Sequence, residues 1–250
     1  MNVLSDADLD RFVAEGYLKL EEAFPRAVGD RIRSSLWERI GLSPDRPEEW
    51  TRPVVWTLDD TGEGPFGEAM GSPRLAAALD RIAGGWIPRG APGMTPVRFP
   101  HPGDSGDTGW HIDQNDPGPE GRWGVVTARP HTLLLLFLYS EVGPDDAPTR
   151  IRVGSHLDAA RVLEPYGEKG LEFFASGPIL DEASAHRPLA YATGLPGDAF
   201  LCHPFLVHAA QRHRGTRPRF MSQMPIFLSR PLTAEDPTPL GRAVRAALNG

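Results

Sequence analysis

Cysteine is nearly absent from this chain, and its scarcity limits how the fold can be held together. The 250 residues include one cysteine, Cys202, so no disulfide can form within the chain. Disulfides persist in oxidising compartments, and a chain that does without them is typical of a reducing one. The first residues also lack the charged-then-apolar pattern of a signal peptide. We therefore expect a cytoplasmic protein.

Long apolar runs and excess basic charge are also missing. The longest apolar run, from Leu133 to Leu138, is far shorter than the roughly 20 residues that a membrane-spanning helix needs. The formal net charge is −7 and the sequence pI is about 5.6, whereas nucleic-acid binding calls for a basic surface. The sequence thus predicts no membrane span and no nucleic-acid partner. A small molecule is the expected partner.

Glycine and proline, by contrast, are abundant, with 27 and 26 residues respectively. From about residue 94 they separate short apolar or alternating runs, a texture typical of a β-sandwich or barrel. We interpret the run from Leu133 to Leu138 as a central strand that is buried on both faces. Apolar spacing predicts a helix between Ser5 and Gly16, helices near 25–40 and 73–83, and a closing helix near 233–248. The expected fold is one α+β, mainly β, domain over residues 1–250.

Two histidines and an aspartate form the most informative pattern in the chain. His111 and Asp113 are two residues apart, so a β-strand would place both side chains on one face. His208 lies on a distant predicted strand, which the mouth of a barrel can bring alongside. Two imidazoles and one carboxylate are the ligand set of a non-haem Fe(II) oxygenase. A His-x-Asp pair alone has low specificity, since a surface strand with a His–Asp hydrogen bond shows the same pattern.

Several further motifs resemble the phytanoyl-CoA dioxygenase family of Fe(II)/2-oxoglutarate oxygenases. The resemblance covers most of the chain. Its more specific parts are the Gly154-Ser155-His156 element and the ten-residue interval from Asp198 to His208. It implies a double-stranded β-helix, or cupin-like jelly roll, buttressed by N-terminal helices. It also implies Fe(II) and 2-oxoglutarate as cofactors, with O2 as cosubstrate.

The resemblance assigns roles to individual residues. The implied iron ligands are His111, Asp113 and His208. Arg219 would pair with the C5 carboxylate of 2-oxoglutarate through a bidentate contact, for which a guanidinium is suited. Arg217 has the same strand parity and is the rival for that carboxylate. Thr132, at the head of the apolar strand, is a candidate donor to the cosubstrate, although a structural hydroxyl is the simpler interpretation.

Two positions bear on the reaction and on the local turn. Related halogenases have a small residue where this chain has Asp113. The intact carboxylate therefore favours hydroxylation, or another oxidation, of an unactivated C–H bond in a small organic molecule, with release of succinate and CO2. The family often has asparagine five residues after the second metal histidine, and this chain has His213 there.

Two other functions are compatible with the same residues. A cupin-like metalloenzyme could use the three ligands without a keto acid, and a non-catalytic jelly-roll module could retain a vestigial His-x-Asp. Around the site, we expect Trp110 in the core and Arg150 either beside the site or on a solvated face. A solvated loop, or else a substrate lid, is expected for the acids Asp104, Asp107, Asp116 and Glu120.

Overall fold

The computed structural model describes residues 3–88, 90–91, 93–118 and 123–250 of the chain. The helices in these ranges are α1 (Asp6–Glu15), α2 (Arg26–Ile40), α3 (Pro65–Met70), α4 (Pro73–Ala83), α5 (Ser155–Leu163), α6 (Phe173–Ser184) and α7 (Pro239–Asn249). The strands are β1 (Tyr17–Leu20), β2 (Val54–Asp59), β3 (Gly93–Arg98), β4 (Val125–Val126), β5 (Thr132–Leu138), β6 (Arg150–Arg152), β7 (Leu171–Glu172), β8 (Leu189–Tyr191), β9 (Ala199–Cys202), β10 (His208–Ala209) and β11 (Met221–Phe227). Within the described ranges, no helix has the length and apolar character to cross a membrane.

Two antiparallel sheets form the centre of the molecule. The larger has the strand order β1-β9-β5-β11, and the smaller has the order β10-β6-β8. The β2–β3 pair is joined to the larger sheet by a bridge between Arg98 and Arg219, just before β11 begins. A short β4–β7 pair lies beside α6. These connections bring residues from distant parts of the chain to one end of the sheets.

Strand β5 is buried on both faces, as its apolar sequence predicts. Successive side chains of a strand point to opposite faces. Leu135 and Phe137 belong to the core that the helices cover, whereas Leu134 and Leu136 pack in a second core with Ile151 of the smaller sheet. The strand therefore separates a helix-covered layer from the interior between the two sheets.

The predicted N-terminal helix begins and ends at the expected residues. The Ser5 hydroxyl accepts the Asp8 backbone N–H at 3.2 Å, and the Asp8 carboxylate accepts the Ser5 N–H at 2.8 Å, which forms a reciprocal cap. Gly16 ends the helix with a φ of 84°. A Cβ at this position would lie 2.4 Å from Nδ1 of His156, so both the backbone conformation and the close approach require glycine.

The Gly-Ser-His element connects α1 with the strand that carries His208. The Ser155 hydroxyl accepts the Val207 N–H at 2.9 Å, which fixes the backbone directly before His208. The His156 ring lies within 3.0 Å of the Val13 carbonyl through its Nε2, so this nitrogen donates to α1. The element therefore holds the metal-side strand against the N-terminal helix.

The structure differs from the expected elements in several places, and three of these differences bear on the site. No regular strand forms over 108–113. The segment makes a single bridge at His111, because glycine and proline on either side prevent a longer ladder. Strand β2 and helix α6 were not predicted. The sequence on either side of β2 is charged and rich in proline, and α6 contains glycine and proline within the helix. Both elements line the site described below.

We predict a specific acid sensitivity from buried His156. Burial lowers the pKa of its imidazole to about 4, against about 6.5 in an unfolded chain. Between these values the unfolded chain binds a proton that the folded protein does not, so stability falls as the pH drops from about 6.5 towards 4. His156→Asn should remove about 3 kcal/mol of that pH dependence, measured by urea unfolding between pH 7 and 4.

The exposed His186 provides the matched control. His186→Asn should leave the pH dependence of unfolding unchanged. If the His156→Asn curve has the same slope as the wild-type curve, the neutral buried imidazole is not a source of the acid sensitivity.

Candidate metal centre

The structure brings His111, Asp113 and His208 together at one end of the sheets. One potential ligand atom from each lies within 4.8 Å of the other two. Nε2 of His111 and Nε2 of His208 are each 3.6 Å from Oδ1 of Asp113, and the ring centroids are 4.6 Å apart. These three donors surround a position that a single cation can occupy.

The backbone positions the two imidazoles directly. His111 and His208 face each other in an antiparallel bridge, with N–H···O distances of 3.0 and 2.9 Å. Nδ1 of His111 is 2.8 Å from the Gly109 carbonyl, and Nδ1 of His208 is 3.0 Å from the Leu206 carbonyl. Each Nδ1–H therefore donates to the backbone, which leaves each Nε2 as a lone-pair donor aimed at the third ligand.

The donor set fits a divalent metal ion. Nε2 of His208 is buried and has no hydrogen-bond partner among the described residues, a costly arrangement for a polar atom unless an ion completes it. Burial alone would raise the pKa of Asp113, but the two imidazoles beside it hold the pKa well below its usual value. Contact with Asp113 in turn outweighs burial and raises the pKa of His111. An anionic carboxylate between two imidazoles is what a metal such as Fe(II) binds.

Arg150 forms hydrogen bonds to both backbone segments that carry the histidines. Its guanidinium donates to the Thr108 carbonyl at 2.7 Å and to the Ala210 carbonyl at 2.8 Å. It also lies over the Trp110 ring at 4.6 Å, and Arg152 lies over the same ring at 4.2 Å. Arg150 thus neither contacts the metal position nor sits on a solvated face. Trp110 packs between these cations and the cavity, and not only in the core.

A cavity of about 1140 Å³ opens in front of the metal position. Three of the residues predicted for the site line it, namely Thr132, His111 and Asp113. His208 is fully buried and is not itself a lining residue. The Thr132 hydroxyl lies 3.5 Å from the Asn115 carbonyl, so it also has the structural contact that the sequence suggested. Most other lining side chains come from β2, β3, β5, α6 and β11.

Arg219 is buried beside this cavity, behind its lining residues. Its Nη1 donates to the Ala147 carbonyl at 2.6 Å, and its Nε has no partner among the described residues. Burial, together with the neighbouring Arg98 guanidinium, lowers the pKa of Arg219. The two arginines face each other across an antiparallel bridge, so their side chains share one face of the sheet.

Arg98 is a site residue that the sequence analysis missed. It lines the cavity, and Asp107 pairs with it through both carboxylate oxygens, so Asp107 is a structural partner and not a solvated loop acid. Burial alone would raise the pKa of Asp107, but hydrogen bonds from Arg98 and Ser105 lower it. The sequence did contain a signal for Arg98, because it is a charged residue within the otherwise mostly apolar run at 95–99. Glu120, expected in the same acidic loop, lies outside the described residues.

Arg217 does not reach the cavity. Its side chain is 67% exposed, and its guanidinium lies 3.1 Å from the Glu141 carboxylate. The turn around it is held by His213, whose Nε2 donates to the Arg217 carbonyl at 2.8 Å and whose Nδ1 accepts the Gly215 N–H at 3.1 Å. His213 therefore supplies the hydrogen bonds that shape the turn between His208 and Arg219.

Comparison with known proteins gives a family match and a set of similar folds. The chain matches the family model described as phytanoyl-CoA dioxygenase (PhyH) over residues 63–221. No functionally curated protein matches it. The epimerase SnoN from nogalamycin biosynthesis, an α-ketoglutarate-dependent non-haem enzyme, is 16% identical, with a TM-score of 0.61 over 89% of this chain and 80% of SnoN.

Two further solved structures are similar. HygX from Streptomyces hygroscopicus, with nickel, 2-oxoglutarate and hygromycin B bound, is 18% identical, with a TM-score of 0.57 over 90% of this chain and 88% of HygX. EctD from S. alaskensis, with 2-oxoglutarate and 5-hydroxyectoine, is 16% identical, with a TM-score of 0.58 over 90% of this chain and 77% of EctD. This likeness confirms the predicted jelly-roll fold.

The cupin-like jelly roll and its His–Asp–His cluster define a non-haem iron, 2-oxoglutarate-dependent oxygenase. Because the family match extends over more than half of the chain, the protein belongs to the phytanoyl-CoA dioxygenase family.

We predict that Arg150 acts as a positioning residue for the metal centre. Arg150→Met removes the hydrogen bonds to the Thr108 and Ala210 carbonyls and should weaken Mn(II) binding about tenfold, the lower end of the effect of losing a supporting contact. Calorimetric titration with Mn(II) measures this change. Arg46→Met, on a surface arginine that pairs with Glu49, is the control and should bind Mn(II) like the wild type. Unchanged Mn(II) affinity in a folded Arg150→Met protein would show that Arg150 does not position the metal centre.

Proposed function

We propose that this protein oxidises an unactivated C–H bond of a small organic molecule, with His111, Asp113 and His208 as the Fe(II) ligands and Arg219 as the partner of the 2-oxoglutarate C5 carboxylate. One observation carries the proposal: three donor atoms from separated segments meet within 4.8 Å, and the buried Nε2 of His208 has no partner among the described residues. When bound, iron and 2-oxoglutarate would allow O2 to act as the oxidant, so that one oxygen atom ends in succinate, CO2 is released and the other oxygen atom oxidises the substrate.

The protein's own residues prepare the site for this cosubstrate. Arg98 and Arg219 are buried side by side with one paired carboxylate, Asp107, so one positive charge is in excess. A buried charge without a counter-ion is costly, and a dicarboxylate placed there would supply the missing anion. The Nε of Arg219, which has no partner among the described residues, is available as a donor to that anion.

The remaining assignments follow from position. Thr132 lines the cavity and can turn its hydroxyl towards the cosubstrate, so it stays a candidate donor. Arg217 is exposed and paired with Glu141, which makes Arg219 the stronger candidate for the carboxylate. The intact Asp113 supports hydroxylation or a related oxidation. The small molecules bound to HygX and EctD support a small organic substrate as well.

We expect His111→Ala and Asp113→Ala each to abolish succinate formation from 2-oxoglutarate in the presence of Fe(II) and O2. Each substitution removes one of the three ligands that the chain is proposed to supply, so the coordination expected to support O2 activation is incomplete. Succinate released in the absence of substrate can be quantified by mass spectrometry. His186→Ala, which alters an exposed histidine, is the control and should keep wild-type output.

The same assay separates the oxygenase from the other two functions. A metalloenzyme without a keto-acid cosubstrate would bind metal but release no succinate, and a vestigial module would do neither. Full succinate formation by both ligand variants would contradict the assignment of His111 and Asp113.

We predict that Arg219→Met raises the 2-oxoglutarate concentration for half-maximal succinate formation by about 30-fold or more. Truncating one partner of a buried charge pair costs about 2 kcal/mol at least, and 2 kcal/mol is about 30-fold. Arg217→Met, two residues away, is the matched control and should leave the requirement unchanged. Mn(II) titration should show that both variants retain the metal site.

Other results for these two variants would change the assignment of the carboxylate partner. If Arg217→Met raises the 2-oxoglutarate requirement and Arg219→Met does not, the carboxylate partner is Arg217. If neither variant changes it, the buried arginine pair has no part in cosubstrate binding.

A further inference from the structure

We infer that the substrate is a neutral, flat, ring-containing molecule that is largely apolar, and not an anionic thioester or a charged polyol. The inference rests on the proposed function, because it concerns the molecule that occupies the cavity in front of the metal position. At about 1140 Å³, the cavity is slightly larger than the range of roughly 300–1,000 Å³ that is usual for small-molecule sites. It has room for a bulky molecule beside a small cosubstrate.

Aromatic side chains from two separate elements form walls of the cavity. One wall contains Trp56 and Leu58 of β2, which lie on the same face of the strand, and Met94 of β3 is the register partner of Leu58. A second wall contains Phe173 and Phe174 at the start of α6. Flat aromatic faces in the lining favour a planar ring system, since stacked rings gain energy beyond the burial of apolar area.

Several of these side chains are unusually exposed for apolar groups. Phe174 is 80% exposed, Trp56 and Leu58 are 48% and 49% exposed, and Met94 and Trp123 are each 41% exposed. All five line the same cavity. A contiguous exposed apolar patch of this kind marks a binding site for an apolar partner. A hydrated polar substrate would leave this surface in contact with water and gain nothing from it.

The charged side chains that line the cavity already have partners. Arg98 pairs with Asp107, Asp181 pairs with Arg152 at 2.6 Å, and Asp113 lies between the two metal-site imidazoles. Among the described lining residues, no lysine is present, and once the proposed dicarboxylate neutralises the Arg98–Arg219 pair, no charge is left for a phosphate, a sulfonate or an ammonium group of the substrate. A charged substrate would lose its hydration without gaining a counter-ion, which is unfavourable.

One polar group is set up to orient the neutral molecule. Gln114 lines the cavity directly after the metal ligand Asp113, and its Oε1 is buried without a partner among the described residues. An unpaired buried acceptor is stabilised by a hydroxyl or N–H donor. The expected substrate therefore carries one such donor on an otherwise apolar ring framework.

Two fluorescent probes with the same rings and different charge test this inference. N-phenyl-1-naphthylamine is neutral, and 8-anilino-1-naphthalenesulfonate carries the same rings with one sulfonate. The neutral probe should bind with blue-shifted emission and at least tenfold more tightly than the sulfonate. Each titration is run on the protein with and without Mn(II) and 2-oxoglutarate.

Two variants test whether the probe binds in the cavity. Phe174→Ala and Trp56→Ala should each weaken binding of N-phenyl-1-naphthylamine about five- to tenfold, because each removes one aromatic wall. Both residues are largely exposed, so the fold should tolerate the changes, and circular dichroism checks this. Tyr166→Ala, which removes an exposed aromatic residue outside the cavity lining, is the matched control and should not change binding.

The outcomes separate this inference from the proposed function. With Mn(II) and 2-oxoglutarate bound, equal or tighter binding of the sulfonate overturns the neutral-substrate inference, and so does binding of the neutral probe, with or without them, that neither wall variant weakens. Absence of any binding of the neutral probe overturns it as well. Failure of the protein to bind Mn(II) counts against the proposed function, whereas the probe titrations without metal still decide the character of the cavity.

Discussion

The functional end of this protein depends on one short antiparallel contact, the bridge between His111 and His208. Two backbone hydrogen bonds hold the histidines opposite each other, and a carbonyl behind each ring fixes which nitrogen points forward. Asp113 completes the set without a regular strand. Because only one residue pair forms the bridge, the surrounding contacts help to fix the relative positions of the two histidines. Arg150 ties both segments together, and Ser155 holds the residue before His208.

The two sides of the cavity differ in charge, so each side favours a different kind of molecule. On the side of Arg98 and Arg219, buried positive charge exceeds the single carboxylate of Asp107, which favours an anion. On the side of α6 and the β2–β3 pair, aromatic walls surround charges that already have partners, which favours a neutral molecule. One cavity can therefore distinguish an anionic cosubstrate from an apolar substrate, since each would be poorly stabilised in the place of the other.

The sequence predicted those features that depend on residue type and local period. The meeting of His111, Asp113 and His208 was predicted from their donor types together with the family resemblance, and β5 and the terminal helices were predicted because their apolar spacing is regular. Contacts between distant segments were not predictable in this way. Arg98 faces Arg219 only because β3 lies beside the entry to β11, and Arg150 contacts two backbone carbonyls that no side-chain pattern marks. Helix α6 was missed because Gly177 and Pro178 conceal a helix that tertiary packing stabilises.

Anaerobic absorption spectroscopy can show whether the three side chains surround one iron that chelates a keto acid. We expect that adding 2-oxoglutarate to the Fe(II)-loaded protein produces the metal-to-ligand charge-transfer band of a chelated keto acid, at one equivalent of each per chain. A protein that binds one equivalent of Fe(II) and then shows no band at saturating 2-oxoglutarate would contradict it. So would a band of equal intensity in a His208→Ala protein, because the three side chains would then not surround the iron.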